Sequence, residues 1–160
     1  MTREGGSRKS TTGLDVFDRT LQTTAIWLDE VADRIGTDRR QAWELLSAVL
    51  HALRDRLPVD LAAHLGAQLP LLVRGAYYDR FEPARPAAPC DTPDEFTAAV
   101  AAGLGDMPPA DAETGIAAVF ALLDRHLTEG QLAKIRGALP RGLRMAWDGA
   151  DARLLADAGA

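Results

Sequence analysis

Residues 48–70, AVLHALRDRLPVDLAAHLGAQLP, recur as residues 118–140, AVFALLDRHLTEGQLAKIRGALP, at a constant offset of 70 positions. The two stretches align without gaps. The positions identical in both are mostly apolar and separated by helical steps, so the repeat preserves a buried face. These positions include Ala48/Ala118, Val49/Val119, Leu53/Leu123, Leu57/Leu127, Ala63/Ala133, Leu69/Leu139 and Pro70/Pro140. The sequence therefore predicts two tandem copies of one helical unit.

Helix-capping signals divide each copy into about four helical segments. The stretches TPDE at residues 92–95 and TEGQ at residues 128–131 have the form of capping boxes, which mark helix starts. Pro58 and Pro70 stand where one helix must end and the next begin, because proline is tolerated only in the first turn. The first copy also has an extra amphipathic lead, Leu14 to Ile26, so its first helix should be longer than its counterpart. No run alternates with period two, so we expect no sheet.

The remaining segments complete the predicted domain organisation. Residues 81–92 hold three prolines and Cys90, and proline suits neither helix interiors nor sheet ladders. We therefore predict a linker there, between a first repeat at 13–80 and a second at 93–150. Residues 1–12 are predicted to be a disordered tail and residues 151–160 a C-terminal tail. A copy of about 60 residues has a marginal core, so we expect one all-α bundle in which the copies pack with pseudo-two-fold symmetry.

The composition excludes several classes of protein. With one cysteine in 160 residues, the chain cannot form an intramolecular disulfide. Charges interrupt every hydrophobic run, and no apolar segment follows the basic N-terminus, so we expect neither a membrane span nor a secretory signal. A net charge of −5 argues against nucleic-acid binding, which requires clustered basic residues. We expect a cytoplasmic protein.

Several motifs of the first copy resemble a known family. They are TLQTT at residues 20–24, LHALRDRLP at 50–58, HLGAQLP at 64–70 and RGAYY at 74–78. This pattern is similar to the bacterial family called domain of unknown function 2267, and the second copy matches it more weakly. The resemblance implies an all-helical bacterial protein and brings no activity, cofactor or catalytic residue. One departure concerns Arg80 and Phe81, which stand where the family leads us to expect Gly-Trp. Phe81 cannot donate the hydrogen bond that Trp would.

Some first-copy residues have no polar counterpart in the second, since His51 aligns with Ala121 and Gln68 with Ala138. They and the polar residues near them are candidates for a role beyond packing. His51 and Asp55 lie four residues apart on one predicted helix, as do His64 and Gln68 on the next. Together they could resemble a two-histidine, one-carboxylate metal site or an acid–base pair. We favour the alternative in which they join helices at a junction. The ligand or interface candidates are His51, Asp55, His64, Gln68, Arg74, Tyr77 and Tyr78.

Two further groups in this region have alternative interpretations. Arg54 and Arg56 stand at a predicted helix end, where cations interact favourably with the last carbonyl groups. The functional alternative is an anion pocket formed with Arg74. Tyr77 and Tyr78 point about 100° apart on a helix, so only one can be fully buried on a given face. The other should lie at a rim, where it closes the core or anchors a partner protein.

The sequence supports no reaction class. It contains no P-loop, Rossmann glycine pattern, nucleophile elbow, Cys-x-x-Cys pair or metalloprotease helix, and we assign no catalytic residue and no cofactor. The leading hypothesis is a helical interaction or scaffold protein without catalytic activity, which forms a homo-oligomer or binds a protein partner. The alternative is a small-ligand or metal-binding protein with its polar site on the first repeat. A DNA-binding regulator built around Pro58 ranks last, because it needs an exposed basic helix.

Overall fold

The computed structural model describes residues 10–105 and 109–159, and the regular elements in these residues are all α-helices. The all-α prediction is confirmed. The helices are α1 (Asp15–Ile35), α2 (Arg39–Arg54), α3 (Val59–Ala67), α4 (Leu71–Tyr78), α5 (Pro93–Ala102), α6 (Pro109–His126), α7 (Glu129–Ala138) and α8 (Arg141–Ala158).

The helix starts follow the capping signals, with one difference. Thr128 and Gln131 form the complete reciprocal box at the start of α7. At α5 the Thr92 hydroxyl accepts from the Glu95 amide at 3.3 Å, but the Glu95 carboxylate accepts from the amide of Asp91, at 2.9 Å. The predicted box is therefore displaced by one residue, since Glu95 binds the amide before Thr92 and not that of Thr92 itself.

The helices at the two ends of the chain are longer than those near the linker. Helix α1 has 21 residues and α5 has 10, so the predicted lead is part of one continuous helix. Helix α1 ends at Gly36, whose φ of 69° is left-handed and favours glycine. At the other end, α8 continues through most of the segment 151–160 that we assigned to a tail. Most of the tail predicted at 1–12 lies outside the described residues.

One cluster of buried residues draws on all eight helices. At its centre α6 packs against α1, α2, α5 and α8, while α3 packs on α4 and α7. Helices α2 and α6 approach closely at Gly115, where an added Cβ would lie 2.5 Å from the Leu45 side chain. In the second copy Phe120 stacks between Phe96 and Trp147, at centroid distances of 5.7 and 4.4 Å. Among the described residues, no helix combines the length and apolar character that a bilayer crossing requires.

The linker region, residues 81–92, contains no helix but is held at two points. The Ala88 amide donates to the Asp55 carbonyl at 2.7 Å, and the Gly142 amide donates to the Cys90 carbonyl at 2.9 Å. Cys90 itself is buried, and burial raises the pKa of its thiol. The segment is therefore attached both to the end of α2 and to the start of α8.

Candidate functional site

The tyrosine pair joins α4 to α3. Tyr77 is fully buried, and its hydroxyl donates to the Ala62 carbonyl at 2.6 Å; burial raises the pKa of this hydroxyl. Tyr78 is half-buried, and its hydroxyl donates to the Ala63 carbonyl at 3.2 Å. The Tyr78 ring lies so close to Gly66 that a Cβ there would be 2.3 Å from its hydroxyl oxygen. As the helical pitch predicts, one tyrosine is in the core and the other at its rim.

Arg74 also acts on α3, because its guanidinium binds the carbonyl groups at that helix's C-terminal end. Nε donates to Gly66 at 3.0 Å, and Nη2 donates to Ala67 and Leu69 at 3.2 and 3.1 Å. In the second copy Arg144 makes one equivalent bond, to the carbonyl of the residue just after α7. The donors that an anion pocket would use are therefore directed at backbone carbonyls.

Arg54 joins the ends of α2 and α4. Only 4% of it is exposed, and Nη1 donates to the carbonyls of Tyr77 and Asp79. Nε donates to the Asp55 carboxylate at 2.9 Å. The guanidinium also lies 5.1 Å from the centre of the Phe81 ring, so the aromatic residue that replaces the expected tryptophan accepts a cation–π contact. This buried cation holds the start of the linker against the bundle.

The two histidines have different surroundings. His51 Nε2 lies 2.6 Å from the Ala76 carbonyl of α4. His64 Nε2 is buried without a hydrogen-bond partner, on the same α3 face as Gln68, which binds Gln131 of α7. Within residues 10–105 and 109–159, no group of three His, Cys, Asp or Glu side chains is placed to hold a metal ion. His51 and Gln68 therefore form hydrogen bonds across helix junctions, to α4 and to α7.

Two clefts lie on either side of Asp55 and Arg80. One, of about 260 Å³, is formed by the end of α2 and the proline-rich loop. The other, of about 620 Å³, lies between α2 and α5; His51, Asp55 and the half-buried Trp43 line it. Arg80 has a φ of 59°, which is uncommon for a residue with a side chain. Acidic and basic side chains alternate around both clefts, so their charge does not define one ligand class.

The sequence reasoning missed an apolar surface at the free end of α1, here called the lead-helix surface. It consists of Leu14, Phe17, Leu21, Leu71 and Leu72, which are 50, 48, 47, 49 and 40% exposed. The Leu72 amide donates to the Thr20 hydroxyl at 3.2 Å, so the start of α4 adjoins the lead of α1. The amphipathic pattern of residues 14–26 was a signal for this surface. The pattern alone could not show that the bundle leaves it uncovered.

A polar cluster in the second copy was also missed, and we call it the acidic junction. The Trp147 indole donates to both carboxyl oxygens of Asp124, at 3.1 and 3.2 Å. Arg136 Nη2 binds Asp148 at 2.9 Å and Asp151 at 2.7 Å, and its guanidinium lies 5.2 Å from a Trp147 ring centre. Burial raises the pKa of Asp124 to about 6, and its contact with Asp151 adds to this effect. Our sequence analysis placed every site candidate on the first copy.

These features define an all-α protein whose polar side chains mainly form hydrogen bonds across helix junctions. The sequence profile of the family described as "Uncharacterized conserved protein (DUF2267)" matches residues 24–145. The chain belongs to this family, as its motifs indicated. A search of curated proteins finds no match to the chain. The matched range leaves out most of the lead-helix surface, and also Trp147, Asp148 and Asp151 of the acidic junction.

Proposed function

We propose that this protein is a helical interaction protein that self-associates through the lead-helix surface. The observation that carries the proposal is a change in burial along one face of α1. Phe17 and Leu21 are about half exposed, whereas Thr24 on the same face is 6% exposed. The bundle covers one half of this face and leaves the other half open.

The uncovered half continues the pattern of the covered half. In order, the stripe consists of Leu14, Phe17, Leu21, Thr24, Leu28 and Val31. Its steps of three and four residues are those by which one helix packs against another. In the covered half Thr24, Leu28 and Val31 are buried, and α1 packs against α2 and α6. The open half therefore has the pattern needed to pack on a helix.

The occupant that we propose is a second copy of this chain. The five side chains of the lead-helix surface expose on the order of 400 to 500 Å² of apolar area, within the range of the largest patches on monomers. A standard interface buries about 800 Å² per partner, of which a little over half is apolar. Antiparallel pairing of two α1 leads would place Phe17 against the partner's Phe17, with Leu14 near the partner's Leu21. A two-fold contact, in which both copies use the same surface, satisfies these pairings. Such an interface is complete with two copies and gives a dimer.

We also infer that the chain is a pseudo-symmetric pair of repeats, which explains why the lead is free. The packing of α1 on α2, α1 on α4 and α2 on α4 matches that of α5 on α6, α5 on α8 and α6 on α8. Likewise, the contact of α1 with α6 matches that of α5 with α2. In this arrangement the lead of α1 aligns with the linker, so it is an addition to the repeated unit rather than part of its core.

Multi-angle light scattering of the full chain tests the proposal. We expect the wild type to form a dimer at micromolar concentration, and Phe17→Ser with Leu21→Ser to form a monomer. The matched control is Ile26→Ser, because Ile26 is 49% exposed on the opposite side of α1 and should leave the dimer intact. Circular dichroism verifies that each variant is folded. A monomeric wild type, or equal effects of the paired and control substitutions, would reject the self-association.

The cleft between α2 and α5 favours a second candidate, a small-ligand binder. Its volume of about 620 Å³ is within the usual range of ligand sites, and His51 and Asp55 line it. A thermal-shift screen with metabolites should then find a compound that raises Tm in the wild type and not in Asp55→Asn. If no compound changes Tm, this candidate is wrong.

A further inference from the structure

We propose that Arg80 binds a small carboxylate in the cleft between the end of α2 and the proline-rich loop. This role explains why an arginine occupies a backbone conformation that favours glycine. The ligand class is a monocarboxylate with a short apolar body. The site is independent of self-association, because no residue of the lead-helix surface is among the described residues that line this cleft.

Arg80 is the third residue of a tight turn between α4 and the linker. The Phe81 amide donates to the Tyr78 carbonyl at 3.0 Å, which closes a four-residue turn. Asp79 has a φ of −57° and a ψ of 127°, and Arg80 has a φ of 59°. This combination matches a type II turn, whose third residue is usually glycine because the left-handed backbone crowds the Cβ of any other residue. The backbone at Arg80 is therefore strained.

The Arg80 side chain makes no contact that would offset this strain. It is exposed, and among the described residues no hydrogen bond, ion pair or ring contact involves its guanidinium. Arg54 lines the same cleft but is 4% exposed and donates to two backbone carbonyls. Strained backbone positions cluster at sites that clamp ligands, so the free guanidinium of Arg80 indicates a ligand rather than a structural role.

Charge pairing leaves Arg80 as the available cation of this cleft. Acidic and basic side chains alternate around it, but four of them form two ion pairs. Arg54 binds Asp55 at 2.9 Å, and Arg85 binds Glu82 at 3.0 Å. Among the described residues that line the cleft, Arg80 is the charged side chain without a partner. One uncompensated cation suits a monoanion, whereas the larger charge of a phosphate would be repelled more strongly by the two carboxylates.

The rest of the lining defines the chemical class of the ligand. A guanidinium matches the two oxygens of a carboxylate in a planar, bidentate pair. Apolar side chains, among them Val59, Phe81 and Pro83, form much of the remaining wall, so the body of the ligand should be apolar. The volume of about 260 Å³ is below the usual range of about 300 to 1,000 Å³ for ligand pockets, which limits the ligand to a small molecule.

The larger cleft, which Arg80 also lines, is less favourable for a carboxylate. The arginines and carboxylates of its described lining are Arg56, Arg80, Glu44, Asp55 and Asp79. Carboxylates outnumber arginines there, so a bound carboxylate would meet net repulsion. The smaller cleft is therefore the site.

Titration of the full chain with sodium benzoate, followed by amide NMR, tests the site without any variant. We expect saturable binding with a millimolar Kd and shift changes at Val59 and Ala84, which line the smaller cleft alone. Benzyl alcohol, which has the ring without the charge, should bind about tenfold more weakly or worse, and so should inorganic phosphate. Absence of saturable benzoate binding, or shift changes at Ser47 and Ala99 of the larger cleft instead, would overturn the proposal. Phosphate binding as tight as benzoate binding would contradict the ligand class.

Arg80→Gly separates a ligand role from a structural role, because the two roles predict opposite changes in stability. Relief of the left-handed strain should raise the Tm of the ligand-free protein by about 2 to 4 °C. Benzoate affinity should fall about tenfold or more, and Arg80→Lys, which keeps the charge without the planar fork, should lie between.

Arg39→Ala is the matched control for the loss of one exposed cation. Arg39 is 62% exposed and lies at the other end of α2, about 22 Å along the helix, so its removal should leave benzoate binding unchanged. A lower Tm for Arg80→Gly, or a benzoate affinity equal to that of wild type, would refute the role of Arg80.

Discussion

Replacement of Arg54 by alanine should be among the most damaging single changes in the chain. The residue is 4% exposed and donates to the backbone carbonyls of Tyr77 and Asp79. Each hydrogen bond from a charged group contributes about 1.5 to 3 kcal/mol, and Arg54 makes two to backbone carbonyls. The ion pair with Asp55 adds little, because the Asp55 side chain is 43% exposed. We therefore expect Arg54→Ala to lower the free energy of unfolding by about 4 kcal/mol. For a chain of this size Tm should fall by about 8 to 16 °C.

Urea unfolding followed by circular dichroism measures this loss, with Arg39→Ala as the control. Arg39 pairs with Asp29 at 2.7 Å, but its side chain is 62% exposed, so its removal should destabilise the fold far less than removal of Arg54. The comparison also distinguishes a structural role of Arg54 at the helix junction from a role in anion binding. A cation kept for an anion ligand would leave stability unchanged, or raise it, when removed from the ligand-free protein. A loss for Arg54→Ala no larger than for Arg39→Ala would refute its role as a junction residue.

Two further pairs of substitutions test the packing. An alanine Cβ at Gly142 would lie 2.3 Å from the Thr92 amide nitrogen, so Gly142→Ala should lower the free energy of unfolding by about 2 kcal/mol or more. At Gly149 the added Cβ meets nothing within 4 Å, so Gly149→Ala should raise the free energy of unfolding by up to about 1 kcal/mol. Thermal unfolding of both variants measures this, and equal Tm values would contradict the close approach of α8 to the linker. Tyr77→Phe should lose about 1 kcal/mol with its buried hydrogen bond, and Tyr78→Phe much less. Urea titrations should separate the tyrosines, and a reversed order would be inconsistent with their burial.

The sequence predicted the features that depend on residues close together in the chain. Capping signals and proline positions gave the helix boundaries closely, and helical pitch predicted that only one of Tyr77 and Tyr78 would be buried. It could not predict the partners of Arg54. We expected this cation to serve the carbonyls of its own helix or to pair with a neighbour. It does pair with Asp55, but its two carbonyl partners lie 23 and 25 residues further along the chain. Such contacts depend on how α4 returns to α2, which no local pattern specifies.

The two missed features have different causes. The amphipathic lead was recognised, but its exposure depends on where the bundle ends, and spacing alone does not give that. The acidic junction was missed because Asp151 falls in a segment that we assigned to a tail. Since α8 continues through that segment, it carries Asp151 to the guanidinium of Arg136, at 2.7 Å. Alignment of the copies does pair Asp124 with Arg54. The sequence therefore indicated that position 124 is charged, but not which residues it contacts.

Disulfide trapping of Phe17→Cys is the most direct test of the central claim that two copies pair through the α1 lead. Cys90 is 1% exposed, so it should not compete for oxidation. Under mild oxidation the account predicts a disulfide-linked dimer, seen on a non-reducing gel, for Phe17→Cys and little for Ile26→Cys on the opposite side of α1. Absence of the dimer, or equal trapping at both positions, would contradict the claim.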